Sequence, residues 1–140
     1  MWVYDDGGRS LAGFKGSARD CFCRAVAIAT ATPYNQIYQK INEVAKGERP
    51  KGKKKRSSAR TGVHRYTSDR VMKAMGWEWV PTSNVGQKEK VHLHPDELPK
   101  GRIVARVSKH YVAVIDGVIH DTFDSARDGK RLVYGYWIKR

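Results

Sequence analysis

The chain has 140 residues, enough for one hydrophobic core and too few for two ordinary domains, and 40% of them are hydrophobic. Lys and Arg number 27 against 14 Asp and Glu, a formal net charge of +13, so the field attracts nucleic acid or an acidic protein, although a solvated basic surface has the same composition. No run of eighteen apolar residues occurs and residues 1–6 lack a basic stretch followed by an apolar one, which excludes a membrane-spanning helix and leads us to expect a soluble, cytoplasmic protein with no membrane partner.

Residues 1–19 carry Gly7, Gly8, Gly13 and Gly16 among polar residues, which predicts a loop-rich lead-in with one short edge strand at most. Asp20 then stands where it can cap a helix whose inward face is Cys21, Ala25, Ile28 and Ala29. Thr32 and Pro33 read as N-cap and first residue of a second helix, with a stripe of Ile37, Tyr38, Ile41, Val44 and Ala45 that ends at Gly47.

Residues 48–60, "ERPKGKKKRSSAR", offer Lys51, Lys53, Lys54, Lys55, Arg56 and Arg60 and almost nothing apolar, so the stretch is expected to be a mobile loop that buries nothing. It is also the candidate surface for nucleic acid or an acidic protein, which Arg65, Arg70 and Lys73 would extend along the next helix. That helix is predicted at about 66–75, with Val71, Met72 and Met75 inward and Gly76 as its stop.

Beyond Gly76 the pattern changes to strands, at 77–80, 91–93, 102–107, 111–115, 118–123 and 132–138. Helices followed by strands predict α+β architecture, one domain over residues 1–140 with N-terminal helices packed on a C-terminal antiparallel sheet. Trp77 and Trp79 share a strand face and read as core rather than as a base-stacking platform. Residues 134–137 read as the closing strand of that sheet.

The sharpest signal for chemistry is "SKHYVAVIDGVIHDTFD", residues 108–124. Asp116-Gly117 is a favoured two-residue hairpin turn, so Ile115 faces Val118, Val112 faces Asp121 and His110 faces Phe123. Alternation then puts His110, Val112, Asp121 and Phe123 on one face, with His110 and Asp121 diagonal neighbours and His120 on the other side. An imidazole with a carboxylate to hold its tautomer is what a general base needs; a surface ion pair is the plainer alternative.

Both cysteines fall in "DCFCRAVAIAT", residues 20–30. With one residue between them they cannot close an ordinary disulfide, so reduced thiols are expected. A thiol in a first helical turn sees free backbone N–H groups and the positive end of the helix dipole, and a nearby imidazolium favours its thiolate further. Two residues on a helix are about 200° apart, so only one cysteine can face the histidine; Cys21 continues the inward stripe and Cys23 projects elsewhere. Without the hairpin, both would read as small packing residues.

A cysteine at a helix N-terminus, a histidine opening a later strand and a polar residue on the strand after it resembles the papain-like cysteine peptidase superfamily, particularly its compact bacterial and phage-type members such as bacteriocin-processing and cell-wall amidase domains. The likeness covers roughly residues 15–124. It implies a Cys21 thiolate, a His110 base and acid, and an Asp121 orienter, acting on the amide or ester of a protein or peptide substrate through an acyl-enzyme, without a cofactor. Many relatives place a glutamine six residues before the nucleophile as an oxyanion donor; that place holds Lys15 here. Gln87 or Asn84 in "TSNVGQ" is the other side-chain candidate, and the Cys21 N–H a backbone one.

His92 and His94 share a strand face with Asp96 and Glu97 nearby, but two imidazoles without a clear third ligand predict a polar face and no metal. The rival to an enzyme is a catalytically inactive domain of the same fold that binds nucleic acid or an acidic protein through its basic surface.

Overall fold

Alternating β-branched residues and two tight turns generate the sheet, and three amphipathic stretches generate the helices that cover it. In the computed structural model, which describes residues 1–49, 55–83 and 89–139, the order is β1 (Trp2–Tyr4), α1 (Cys21–Thr30), α2 (Tyr34–Ala45), α3 (Arg65–Ala74), β2 (Glu78–Pro81), β3 (Arg102–Val107), β4 (His110–Ile115), β5 (Val118–Asp121) and β6 (Val133–Ile138). The fold is α+β, with a six-stranded sheet in the order β1-β5-β4-β3-β6-β2. No described helix is long and apolar enough to cross a membrane.

The sheet is mixed rather than purely antiparallel. β1 joins the edge beside β5 in parallel, Trp2 opposite Ile119 and Tyr4 opposite Asp121, and every other pairing is antiparallel. A parallel neighbour needs a long crossover, and the whole helical half of the chain supplies it. Residues 91–93 do not form a strand; His92 makes one isolated bridge to Leu132.

The β4–β5 hairpin has the expected register, Ile115 opposite Val118 and Ala113 opposite His120. Asp116 and Gly117 both have positive φ, 50° and 79°, the conformation that matches the twist of adjoining strands. Tyr111, Ala113 and Ile115 pack with the helices, whereas Val112, Val114 and Ile119 form a second core with Leu93, Leu98 and Val133 on the opposite face.

α1 packs on β4 along one side and on α2 along the other. Phe22, Cys23, Ala25, Val26, Ala27, Ile28 and Ala29 are therefore all buried, and the one-sided stripe predicted for this helix is replaced by burial nearly all round, as expected for a helix between two layers. Pro33 occupies the N-cap position of α2 instead of its first turn. In α3, Val71 and Met72 are fully buried and Met75 partly so.

The basic stretch does bury residues where it is described: Ala59 is 0% exposed. Its N–H donates to Asn42 Oδ1 at 2.9 Å, and the Ser57 N–H donates to Glu48 Oε1 at 2.7 Å. At the far edge of the sheet, Trp79 lies 4.6 Å from Trp137, centroid to centroid, and the Arg65 guanidinium lies over the Trp79 ring, 5.1 Å from its centroid. Gly135 allows that arrangement, because a Cβ there would sit 2.3 Å from the Trp79 ring.

Candidate active site

Cys21 is the first residue of α1 and His110 the first of β4, so the two meet where helix N-terminus and sheet end coincide. Strand alternation assigns His110 to the face away from the helices, but a residue at the end of a strand is open to both layers. The ladder between β4 and β5 ends at Ala113 and His120. Beyond it the Tyr111 N–H and the His110 ring both lie near enough to the Cys21 sulfur to favour its anion.

His110 Nε2 lies 2.5 Å from Asp121 Oδ2, with both residues buried. That bond occupies Nε2 and leaves Nδ1 as the nitrogen available to the sulfur. Asp121 is itself held on several sides. Its Oδ1 accepts the Thr122 N–H at 2.7 Å and lies 3.7 Å from Arg24 Nη2. Its carbonyl accepts from Asp5 N–H at 2.9 Å and Trp2 Nε1 at 3.2 Å, so β1 pins the backbone that carries Asp121. The Phe123 ring lies 5.2 Å from the His110 ring and covers it.

Electrostatics separate the two thiols. Burial pushes the Cys21 thiol up, but hydrogen bonding to His110, the imidazolium charge, the Tyr111 N–H and the Arg24 guanidinium together outweigh it, and the net shift is downward. Burial and the Asp20 charge push the Cys23 thiol up to about 12; it is fully buried and its sulfur lies 3.9 Å from the Tyr34 carbonyl oxygen. For His110, burial favours the neutral ring, yet Asp121 and Cys21 raise its pKa to about 9. For Asp121, burial favours the neutral acid, but His110 and the Thr122 N–H hold it below the usual carboxylate range. A thiolate–imidazolium pair braced by a carboxylate is the protonation state these shifts favour.

Asp20 occupies the N-cap position of α1 but its side chain makes no capping bond. Instead its carboxylate accepts Tyr34 Oη at 2.6 Å, pairs with Arg24 and lies 3.3 Å from Arg9 Nε. Three partners elsewhere draw it away from the helix amides. No side chain therefore caps the amides of the first turn, and they can favour negative charge at Cys21.

Arg24 is the residue that the sequence pattern did not single out. It joins Asp20 to Asp121 and adds positive charge near the sulfur; its i,i+4 spacing from Asp20 was the readable signal. Lys15 is exposed, and its described contact is a backbone one, with its carbonyl accepting Arg60 Nη2 at 2.7 Å. Gln87 and Asn84, with Lys51, Lys53 and Lys54 of the basic stretch, lie outside the described residues. Lys55, Arg56 and Arg60 are described and line a cleft beside residues 17–19.

His120 sits off the site, 3.2 Å from Asp5 Oδ2. His92 and His94 are engaged by carboxylates, Glu97 at 3.0 Å and Asp96 at 3.8 Å, and the described residues contain no group of three metal-ligating side chains. The geometry can therefore generate a nucleophilic sulfur, deliver a proton from its partner imidazole and hold that imidazole in one orientation. Comparison of the chain with models of protein families, with curated proteins and with solved structures finds no match.

Proposed function

We propose that this chain is a cysteine-dependent acyl hydrolase or transferase of papain-like architecture, acting on an amide, isopeptide or ester. The observation that carries this reading is the meeting of a half-buried thiol at a helix N-terminus with an imidazole whose far nitrogen is 2.5 Å from a buried carboxylate.

The Cys21 thiolate attacks the acyl carbon, and the carbonyl electron pair moves onto oxygen, where the uncapped amides at the start of α1 offer hydrogen bonds. The His110 imidazolium gives its proton to the leaving nitrogen or oxygen, that bond to the acyl carbon breaks, and a thioester to Cys21 remains. Water, or an acceptor amine or alcohol, then loses a proton to the neutral His110 and attacks the thioester, restoring the thiolate. Asp121 keeps Nε2–H engaged throughout, so that Nδ1 is the nitrogen that exchanges the proton.

A second reading, an inactive domain of the same fold that binds through its positive surface, is favoured by Lys15: its position in the chain corresponds to a glutamine donor in the resembling family, and its described contact is made by its backbone carbonyl to Arg60 rather than by its side chain to Cys21 or His110. The two readings separate on Cys21→Ala. Loss of turnover against acyl esters or peptide amides, with circular dichroism unchanged, supports the enzyme. Absent turnover in the unsubstituted protein, with nucleic-acid affinity that falls steeply with salt and ignores Cys21→Ala, supports the binder.

A further inference from the structure

Residues 17–19, which lead directly into Cys21, form one wall of a cleft of about 740 Å³ whose other wall is the segment 55–64. Arg19, Lys55, Arg56, Arg60 and His64 line it, and no carboxylate does so among the described residues. The walls are stitched together: the Arg19 N–H donates to the Arg60 carbonyl at 2.7 Å and the Arg60 guanidinium to the Lys15 carbonyl at 2.7 Å. The second wall is braced within itself by the Ser58–Gly62 pairing and by the His64 ring on the Lys55 carbonyl, 2.7 Å away. Glu48, the carboxylate tied to this segment, is occupied by the Ser57 N–H and by Thr67 Oγ1. The cleft thus keeps its positive charge uncompensated.

The neighbouring cleft is different. A cavity of about 320 Å³ runs past Thr122, and there Arg9 and Arg24 are balanced by Asp6 and Asp20, so that side has no net preference for charge.

Resting on the acyl-transfer reading above, we propose that the 17–19/55–64 cleft is a substrate subsite for an acidic peptide segment, with Asp or Glu side chains next to the scissile acyl group. Arg19 is two residues from Cys21, so their Cα atoms are at most about 7 Å apart, the span of two extended residues. The cleft wall thus ends two residues before Cys21, although neither Cys21 nor His110 lines it, and the residues flanking the acyl group of a bound peptide are the part that would reach it. Nucleic acid would find the same charge, but it presents no acyl carbon to the sulfur. The volume also suits one or two side chains better than a duplex.

The test uses the full chain and site-resolved mass spectrometry of Cys21. Three probes are compared at low salt: iodoacetamide, and two peptide electrophiles that are identical except for Glu or Gln on both sides of the reactive group. The expected result is faster modification by the Glu peptide, by about tenfold, the size of one or two charge-assisted contacts at a partly exposed site. The preference should fall as salt rises and shrink in the Arg19→Gln/Arg56→Gln double variant. Both residues are exposed, and a ratio of two peptides on one protein cancels any change in thiol reactivity. Equal rates for Glu and Gln, with iodoacetamide still selecting Cys21, overturn this inference and leave the enzyme reading standing. Failure of iodoacetamide to select Cys21 over Cys23 overturns the enzyme reading itself. Stronger protection of Cys21 by a single-stranded oligonucleotide than by a poly-Glu peptide of equal charge contradicts the assignment to peptide.

Discussion

Cys21 and Cys23 share one helix, two residues apart, and their thiols are driven in opposite directions. The sulfur at the start of the helix looks toward the sheet end, where an imidazole, a backbone N–H and a guanidinium all favour the anion. The sulfur two residues further on looks toward α2, where it finds a carbonyl and the Asp20 carboxylate. Burial opposes ionisation at both positions, so what separates them is the charge each one faces. A thiol in the first turn of a helix is thus not reactive by position alone; the layer it faces decides.

The comparison breaks most sharply by substitution of the sulfurs themselves. Cys21→Ala is expected to lower turnover by about 10³-fold or more, as loss of a nucleophile does. Cys23→Ala should keep turnover and lose only about 1 kcal/mol of stability from a small buried vacancy. Assays on acyl substrates with parallel thermal melts check both. Equal effects of the two variants on turnover would remove the distinction.

Asp121→Asn should come next, lowering turnover by about 10²- to 10⁴-fold through a wrongly presented imidazole tautomer. It also tests the charge coupling. His110 is raised, so its contribution to stability is complete below about 6.5, its unperturbed value, and is lost as pH rises through about 9. Asp121 is lowered, so its contribution is complete above its usual value of 3.8 and is lost as pH falls through its depressed folded value. Melting temperatures of the unsubstituted protein should therefore exceed those of Asp121→Asn most between these limits, with the difference closing at both ends.

Arg24→Gln sharpens the same contrast with a smaller effect. It removes the cation shared by Asp20 and Asp121, and about 1–3 kcal/mol of stability is expected to go with it. The Cys21 labelling profile should move toward alkaline pH while Cys23 remains protected. Gly135→Ala is the remote control. Its Cβ would meet the Trp79 ring at the far edge of the sheet, costing about 1–3 kcal/mol. The ratio of Cys21 to Cys23 labelling in the folded protein should not change.

Local patterns were legible in the amino-acid sequence, and long-range ones were not. The hairpin register follows from Asp116-Gly117 and a period of two as far as Ala113 and His120, where the ladder ends; the His110–Asp121 contact expected from it lies past that end. The helical repeat separates the two cysteines onto different faces, but the expectation that Cys21 continues the buried stripe fails: Cys21 is half-buried and Cys23 fully buried, because α2 covers that side of the helix. The parallel pairing of β1 with β5 joins residues more than a hundred positions apart, and no turn signal announces it. Residues 91–93 have strand composition yet reach only a single bridge, at Leu132 just before β6, while β2 pairs with the later residues of that strand. α1 reads as one-sided until α2 is known to cover its back, and Asp20 reads as a cap until Tyr34, Arg9 and Arg24 arrive to claim it. The basic stretch reads as a mobile loop that buries nothing, but Asn42 of α2 holds the Ala59 N–H, and Glu48 joins Ser57 to Thr67 of α3.

The proposed role of Cys21 requires that His110 hold it as a thiolate while Cys23 stays protonated. Alkylation of the folded protein with iodoacetamide across pH 5 to 10, resolved by residue, tests it most directly. Cys21 is expected to react below pH 9, the ordinary thiol value, and His110→Ala to move its profile upward, while Cys23 stays unmodified until the protein unfolds. Parallel profiles for the two cysteines, both rising only near pH 9, or a Cys21 profile indifferent to His110→Ala, would contradict it.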